Sequence, residues 1–381
     1  MAPTSPKHPA PRAPRRSSEL VALRLPNRAL AAAIQEAWAA GKAVFPLGPD
    51  GSDDLDERFG GPVEPDIGAL VLTSGSTGES RAVELSWDSL HASADATNRR
   101  LGVSRGDRWL CPVPVHHIAG LQILVRSERA SLEPQVVMNH FDVDEVAGAE
   151  ANLVSLVPTM LVRLLDAGVD LSRFKAILLG GAALAPSLLQ RAREGGAPIV
   201  RSYGMTETCG GCVYDGAPLE GVDLRIEASG EITLSGPVLF SRYRGEPALT
   251  AERLDDGWFR TADAGTIENG RLRVLGRVDE LINTGGEKVS PVEVAGLLTT
   301  HPAVAHAEVV GVPDPEWGER VVAIVEAAGK APTLAEVRAF LATRTEGFKV
   351  PKELVVVKDW PRRPSGKVDR RRLADYLRVD D

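Results

Sequence analysis

The chain has 381 residues, 43% of them apolar and 25% charged, with a formal net charge of -8. That length exceeds what one core comfortably supports, so two domains are expected, or one large domain with a small one attached. The negative balance argues against a general affinity for nucleic acid, and no apolar run approaches the ~20 residues of a membrane helix.

Residues 1–17 are rich in Pro, Arg, Lys and Ser and read as a disordered leader. The pair Arg15–Arg16 is not followed by an apolar stretch, so the segment does not read as an export signal and the expected location is cytoplasmic. After the break at Pro26 a helix is expected over Asn27–Gly41. Ile67–Thr73 reads as a strand running into Ser74, Gly75, Ser76, Thr77 and Gly78. Ser86 supplies an N-cap for a helix reaching Leu101. Asp107–Pro114 reads as a strand leading to His116, His117, Ile118, Ala119 and Gly120, with an apolar helix beyond.

The alternation continues. Val154–Val157 is an expected strand and Pro158–Ala167 a helix. Ala176–Leu179 is a strand ending in Gly180, Gly181 and Ala182. Pro186–Glu194 is a helix, and Ile199–Arg201 a strand entering Tyr203, Gly204, Met205, Thr206 and Glu207. Alternating strands and helices imply an α/β fold with mostly parallel sheets flanked by helices. Ligands in such folds bind at the carboxyl ends of strands, where these Gly/Ser/Thr/His segments lie. From about 209 to 276 the short strands Leu224–Glu227, Glu231–Ser235 and Arg271–Leu275 indicate a small β-rich subdomain. A compact α+β unit follows over 277–381, with helices at Pro291–Leu298 and Thr333–Arg344 and strands at Ala305–Val312 and Arg320–Glu326. The large N-terminal domain is thus expected over 18–276.

Several segments carry chemistry. The glycines of Thr73–Gly78 let backbone N–H groups and hydroxyls approach an anion. The loop lacks the Gly-Lys-Ser/Thr ending of a Walker A motif, and a Ser/Gly loop taken alone is most often just a turn. Glu207 offers a carboxylate to Mg²⁺ on nucleotide phosphates, or a charge for a helix N-terminus. Asp263 can accept from two ribose hydroxyls, or cap a turn. Lys367 sits in a Pro/Gly-bracketed loop, or in a solvated basic tail with Arg362, Arg363 and Arg370. The three cysteines make no disulfide framework. The spacing of Cys209 and Cys212 has no second pair to complete a zinc site, and His301 and His306 fall in another unit, so a glycine-rich turn is the expected reading.

In their order these motifs resemble the adenylate-forming superfamily of acyl-CoA synthetases, luciferases and peptide-synthetase adenylation domains, from about residue 67 to the C-terminus. The resemblance implies ATP, Mg²⁺ and CoA as cosubstrates with a small-molecule carboxylate. It implies a mobile phosphate loop at Ser74–Gly78 and an adenine side at Gly180, Gly181, Ala182, Tyr203 and Gly204. Thr206 would contact the α-phosphate and Glu207 would hold Mg²⁺. Asp263 would bind ribose and Arg277 ribose or phosphate. Asp279 would be a hinge for a mobile C-terminal domain. Lys367 would lie between carboxylate and α-phosphate, with Gly285, Gly286 and Lys288 on the CoA side. The sequence departs from the pattern at Ser80-Arg81-Ala82, where Arg81 replaces the usual lysine, and at Ala262. Seventy-two residues precede Thr73, fewer than the resemblance implies.

The segment Pro114–Gly120 offers His116 and His117 and no carboxylate, which argues against an amino-acid substrate. No carrier domain follows Asp381, which favours CoA as acceptor. The pattern is most similar to the compact ligases that act on 2-succinylbenzoate, with a monocarboxylate aryl or fatty acid as the alternative and a non-catalytic nucleotide-binding relative as the reading from another class. His117 and Arg201 are candidates for the far carboxylate of the acid. Their bland readings are a packed turn histidine and a surface ion pair. A homodimer without nucleic-acid or membrane partners is the assembly carried forward.

Overall fold

The computed structural model describes residues 17–49, 51–52, 54–74, 80–182, 184–358 and 360–361. The leader up to position 16, loop residues 75–78 and Lys367 lie outside the described residues. The chain divides into two compact units. One holds Met1–Ser155, Gly204–Cys212 and Pro237–Glu252, and the other Leu156–Tyr203, Val213–Gly236 and Arg253–Asp381.

The first unit is built on a five-stranded sheet in the order Leu20–Arg24, Ala43–Leu47, Ile67–Ser74, Ser80–Ser86, Arg242–Tyr243. The first three strands are parallel. The next pairs antiparallel with Ile67–Ser74, from Ile67 opposite Ser86 to Ser74 opposite Ser80, and Arg242–Tyr243 is antiparallel to it in turn. This sheet is therefore mixed, parallel over its first three strands and antiparallel at its other edge. The strand Ser80–Ser86 was not expected from the sequence. Its alternation is hidden, because Ala82, Val83, Glu84 and Leu85 are all buried.

Phe45, Leu47, Phe59, Leu70 and Ala82 form one core cluster of this sheet. Each fully buried Leu or Phe there contributes about 1.5–3 kcal/mol. Trp38 donates its indole N–H to Gly68 O at 3.0 Å and meets Trp87 edge-on, which fixes helix Asn27–Ala39 against the sheet. Helix Trp87–Leu101 starts at the expected Ser86 cap, whose Oγ accepts from Ser89 N at 3.0 Å. The expected strand Asp107–Pro114 shrinks to Trp109–Cys111. Asp107 instead turns back to accept from the N–H and Oγ of Ser104, and Pro112 and Pro114 cannot donate to a ladder.

In the second unit Ala176–Leu179 and Ile199–Met205 pair in parallel, with helix Pro186–Glu194 between them in sequence. The β-rich part is an antiparallel sheet in the order Asp223–Ile226, Glu231–Ser235, Trp258–Glu268, Leu254–Asp255, and Arg271–Arg277 also pairs with Trp258–Glu268. Beyond it, Val304–Asp314 and Gly318–Ala327 form a long hairpin. Helices Pro291–Leu298 and Leu334–Ala342 bury Val294, Leu298, Val337 and Leu341 with Val309 and Val321 of that hairpin. Thr333 and Glu336 cap the second helix reciprocally. The protein is an α/β fold of mixed sheets and helices.

Candidate active site

In the first unit the site residues gather on the run that follows Tyr203. Gly204 is required by close packing: a Cβ there would lie 2.1 Å from Gly210 O. The run then makes a single 3-10 turn, Thr206–Thr208, and Cys209 reverses it with φ 49. The Thr208 hydroxyl locks this turn, accepting from Met205 N at 2.9 Å and donating to Gly210 O at 2.7 Å. Ser93 donates to Cys209 O at 2.9 Å and so ties the turn to helix Trp87–Leu101.

Thr206 and Glu207 are buried. Glu207 O accepts from Phe240 N at 2.8 Å, and one carboxylate oxygen accepts from the Tyr243 hydroxyl at 2.9 Å. No three His, Cys, Asp or Glu residues gather to hold a metal among the described residues. A single held carboxylate suits an ion that arrives with nucleotide phosphates as its other ligands, which is the manner of Mg²⁺.

Thr73 and Arg81 are opposite each other in the antiparallel register of Ile67–Ser74 and Ser80–Ser86. The Arg81 guanidinium lies 3.9 Å from Glu246. His117 is the N-cap of helix Ile118–Arg129, with its ring 4.3 Å from that of His116. Gly120 is needed just inside this helix, because a Cβ would meet Pro114 O at 2.4 Å.

In the second unit Tyr203 closes on a carboxylate from a distant strand. Its hydroxyl donates to Asp263 at 2.9 Å. Asp263 is opposite Arg277 in the antiparallel register, with the guanidinium 3.6 Å away. Asp263 thus stands inside the strand Trp258–Glu268 and does not cap a turn. Burial pushes its carboxyl above the ordinary range, and the Tyr203 bond and Arg277 offset this only in part. Arg277 also lies 3.6 Å from Asp279, which is exposed in the turn Val278–Glu280. Gly180 approaches Ser202 so closely that a Cβ would meet its carbonyl at 2.9 Å, and Gly181 is left-handed at φ 81, so the turn through Ala182 needs both glycines. Arg201 is exposed and paired with Asp215 at 3.1 Å.

Gly285 and Gly286, at φ 61 and 85, form the two-residue turn between Ile282–Thr284 and Glu287–Val289. Lys288 donates from this hairpin to Ser229 O. The structure therefore brings together Tyr203, Asp263, Arg277 and Asp279 in one unit and Thr206, Glu207 and Gly204 in the other, with Thr73 and Arg81 paired across their hairpin. Cys209 and Cys212 are fully buried, and burial pushes both thiols up to about 12, which removes them from thiolate chemistry at neutral pH. His301 accepts from Ala303 N and His306 lies 3.7 Å from Glu326, so the two histidines hold separate local contacts.

Sequence reasoning missed Tyr243 and the Glu84 carboxylate behind it. Glu84 is buried and takes Arg242 at 2.6 Å and Arg244 at 2.8 Å. The one signal was a charged residue in an otherwise apolar run, Ala82-Val83-Glu84-Leu85.

The family described as AMP-binding enzyme matches residues 42–244, and the AMP-binding enzyme C-terminal domain matches 293–367. A probable 2-succinylbenzoate–CoA ligase of Mycobacterium tuberculosis is 42% identical over 333 residues, covering 83% of this chain and 86% of that protein. The 2-succinylbenzoate–CoA ligase of Listeria monocytogenes serotype 4b is 32% identical, over 81% of this chain and 69% of that one. Among solved structures, o-succinylbenzoate CoA synthetase from Bacillus subtilis in complex with its acyl-adenylate superposes with a TM-score of 0.79 at 28% identity, covering 96% of this chain and 89% of that one. The same enzyme with ATP and magnesium ion gives the same TM-score and identity, over 94% and 90%.

Proposed function

We infer that this chain, which belongs to the AMP-binding enzyme family, is an AMP-forming acid–CoA ligase acting on 2-succinylbenzoate in menaquinone biosynthesis. Its substrates are the carboxylate, ATP with Mg²⁺, and CoA. In the first half-reaction a carboxylate oxygen attacks the α-phosphorus and pyrophosphate leaves. In the second the CoA thiol, losing its proton, attacks the acyl carbon and AMP leaves. Both steps join or separate anions, so catalysis is mainly positioning and charge neutralisation.

The observation that carries the residue assignments is the Tyr203–Asp263–Arg277 cluster, a half-buried carboxylate with one phenol and one guanidinium on it. We assign its two oxygens to the ribose hydroxyls, with Arg277 beside them on ribose or phosphate. Gly180, Gly181, Ala182, Tyr203 and Gly204 take the adenine. Thr206 contacts the α-phosphate and Glu207 holds Mg²⁺, which draws charge from the phosphates when bound. The hairpin carrying Thr73 and Arg81 presents Ser74, Gly75, Ser76, Thr77 and Gly78 to the β- and γ-phosphates. Lys367 bridges the attacking carboxylate and α-phosphate as a compact cation.

The domains proposed are 18–276 and 277–381, with Asp279 as the hinge and Gly285, Gly286 and Lys288 turned to CoA in the second step. At the acyl end His117 is proposed to hold the far carboxylate. Arg201 is the second candidate, and its bond to Asp215 must break for it to serve. Use of ATP and CoA argues for a cytoplasmic enzyme. Among the described residues no helix is long and apolar enough to cross a membrane. A homodimer with no nucleic-acid or membrane partner completes the proposal, and light scattering tests the dimer.

Purified protein with ATP, Mg²⁺ and CoA, offered a panel of acids, tests the reading. Thioester formation from 2-succinylbenzoate at a kcat/KM well above that for benzoates and fatty acids is the expected result. Turnover of simple benzoates or fatty acids alone would replace it with the aryl or fatty-acyl alternative.

A further inference from the structure

Glu207 is not held by its own turn alone. The ribbon Arg242–Tyr243 reaches it from behind, and both ends of that reach are buried: Tyr243 is 5% exposed and Glu207 9%. The ribbon grips the turn twice, through Phe240 N to Glu207 O at 2.8 Å and through the Tyr243 hydroxyl to the Glu207 carboxylate at 2.9 Å. The Tyr243 ring is itself placed by Phe240, with centroids 4.8 Å apart.

The other edge of the ribbon is bonded to the strand that leaves the Gly/Ser loop. Ser241 N donates to Glu84 O at 2.9 Å and Arg244 N to Ala82 O at 2.8 Å. Arg242 and Arg244 close on the buried Glu84 carboxylate from either side of Tyr243. Arg244 also donates to the carbonyls of Phe59 and Gly60. An ion triad of this kind resists sliding, because moving either arginine leaves a buried carboxylate short of a partner. Glu246, three residues beyond Tyr243, faces Arg81 at the base of the loop hairpin.

We propose that Tyr243 is a positioning residue for the metal-holding carboxylate: its hydroxyl fixes the rotamer of Glu207, and the Glu84–Arg242–Arg244 clamp sets the hydroxyl relative to the outgoing arm of the phosphate loop. The role rests on the assignment of Glu207 to Mg²⁺ made above. A carboxylate with one oxygen on a phenol presents a single defined face to an incoming ion. Without the phenol the carboxylate loses one of the contacts that set its orientation and binds the ion less well.

Tyr243→Phe removes the hydroxyl and keeps the ring in its tilted contact with Phe240. The test reads both half-reactions on one preparation: ATP–pyrophosphate exchange across a Mg²⁺ titration, and thioester formation from preformed acyl-adenylate. The half-saturating Mg²⁺ of exchange is expected to rise several-fold and its maximal rate to fall about tenfold. Thioester formation is expected to hold within twofold. Partial unfolding would lower both half-reactions together and leave the Mg²⁺ midpoint in place. An unchanged midpoint, or an equal fall in both half-reactions, would therefore overturn the positioning role while leaving the ligase reading intact. A wild-type protein with no exchange at all would overturn the ligase reading and this role with it.

Discussion

Tyr203 and Asp263, sixty positions apart, meet phenol to carboxylate at 2.9 Å, and the bond holds a charge that burial disfavours. A carboxyl whose pKa is raised in the fold favours the protonated form there. Its contribution to stability is therefore present at low pH and lost as pH rises through the folded value. The proposed ribose site needs the charged form, which is the one that accepts from two hydroxyls.

Asp263→Asn should separate the two effects. The amide oxygen can still accept from Tyr203, but the nucleotide loses a charged acceptor. The KM for ATP is expected to rise about tenfold or more, read in steady-state kinetics. Denaturant midpoints should show the variant at least as stable as wild type at pH 7. Any gain should shrink as pH falls through the raised value toward the ordinary carboxylate range.

Gly204→Ala tests the packing that shapes the turn. The added methyl would lie 2.1 Å from Gly210 O, a backbone atom that Thr208 also holds. A loss of about 3 kcal/mol in urea unfolding is expected, with adenylation lost in parallel. A stable, active alanine variant would mean that the turn is looser than its hydrogen bonds indicate.

Much of the fold was legible in the sequence where punctuation was strong. Ala176–Leu179, Pro186–Glu194, Glu231–Ser235 and Pro291–Leu298 fall where expected, because Pro or Gly and a change of period bound each of them. Ser80–Ser86 is hidden because four consecutive residues, Ala82 to Leu85, are buried and leave no alternation to read. Arg242–Tyr243 is two residues long, too short for any periodicity, and its Ser-Arg-Tyr-Arg-Gly sequence reads as surface loop. The individual site residues were named from motif order, but the contacts among them were not. Neither the register that sets Asp263 opposite Arg277 nor the Tyr243–Glu207 bond follows from spacing along the chain.

Glu293→Ala tests the link between the β-rich sheet and the helix Pro291–Leu298. Glu293 accepts Arg273 at 2.7 Å and Lys349 at 3.0 Å, and its loss leaves that lysine, only 12% exposed, its ion pair with Glu346 at 2.9 Å. Because Arg273 is exposed and Lys349 keeps Glu346, a destabilisation of about 1 kcal/mol is expected by chemical denaturation. A change below ~0.5 kcal/mol would show that water replaces the carboxylate freely.

Lys367→Ala is expected to lower adenylation at least a hundredfold while thioester formation from preformed acyl-adenylate stays within a few-fold of wild type. Rapid-quench measurement of each half-reaction separates the two. Adenylation at wild-type rate would remove Lys367 from the first step.

The central claim is that this chain activates 2-succinylbenzoate as its adenylate. Exchange of labelled pyrophosphate into ATP, with and without that acid and before CoA is added, measures it directly. Exchange is expected to appear only with the acid, to require Mg²⁺, and to give way to thioester and AMP once CoA is supplied. Exchange that stays at background with 2-succinylbenzoate, under conditions where another acid drives it, would contradict the account.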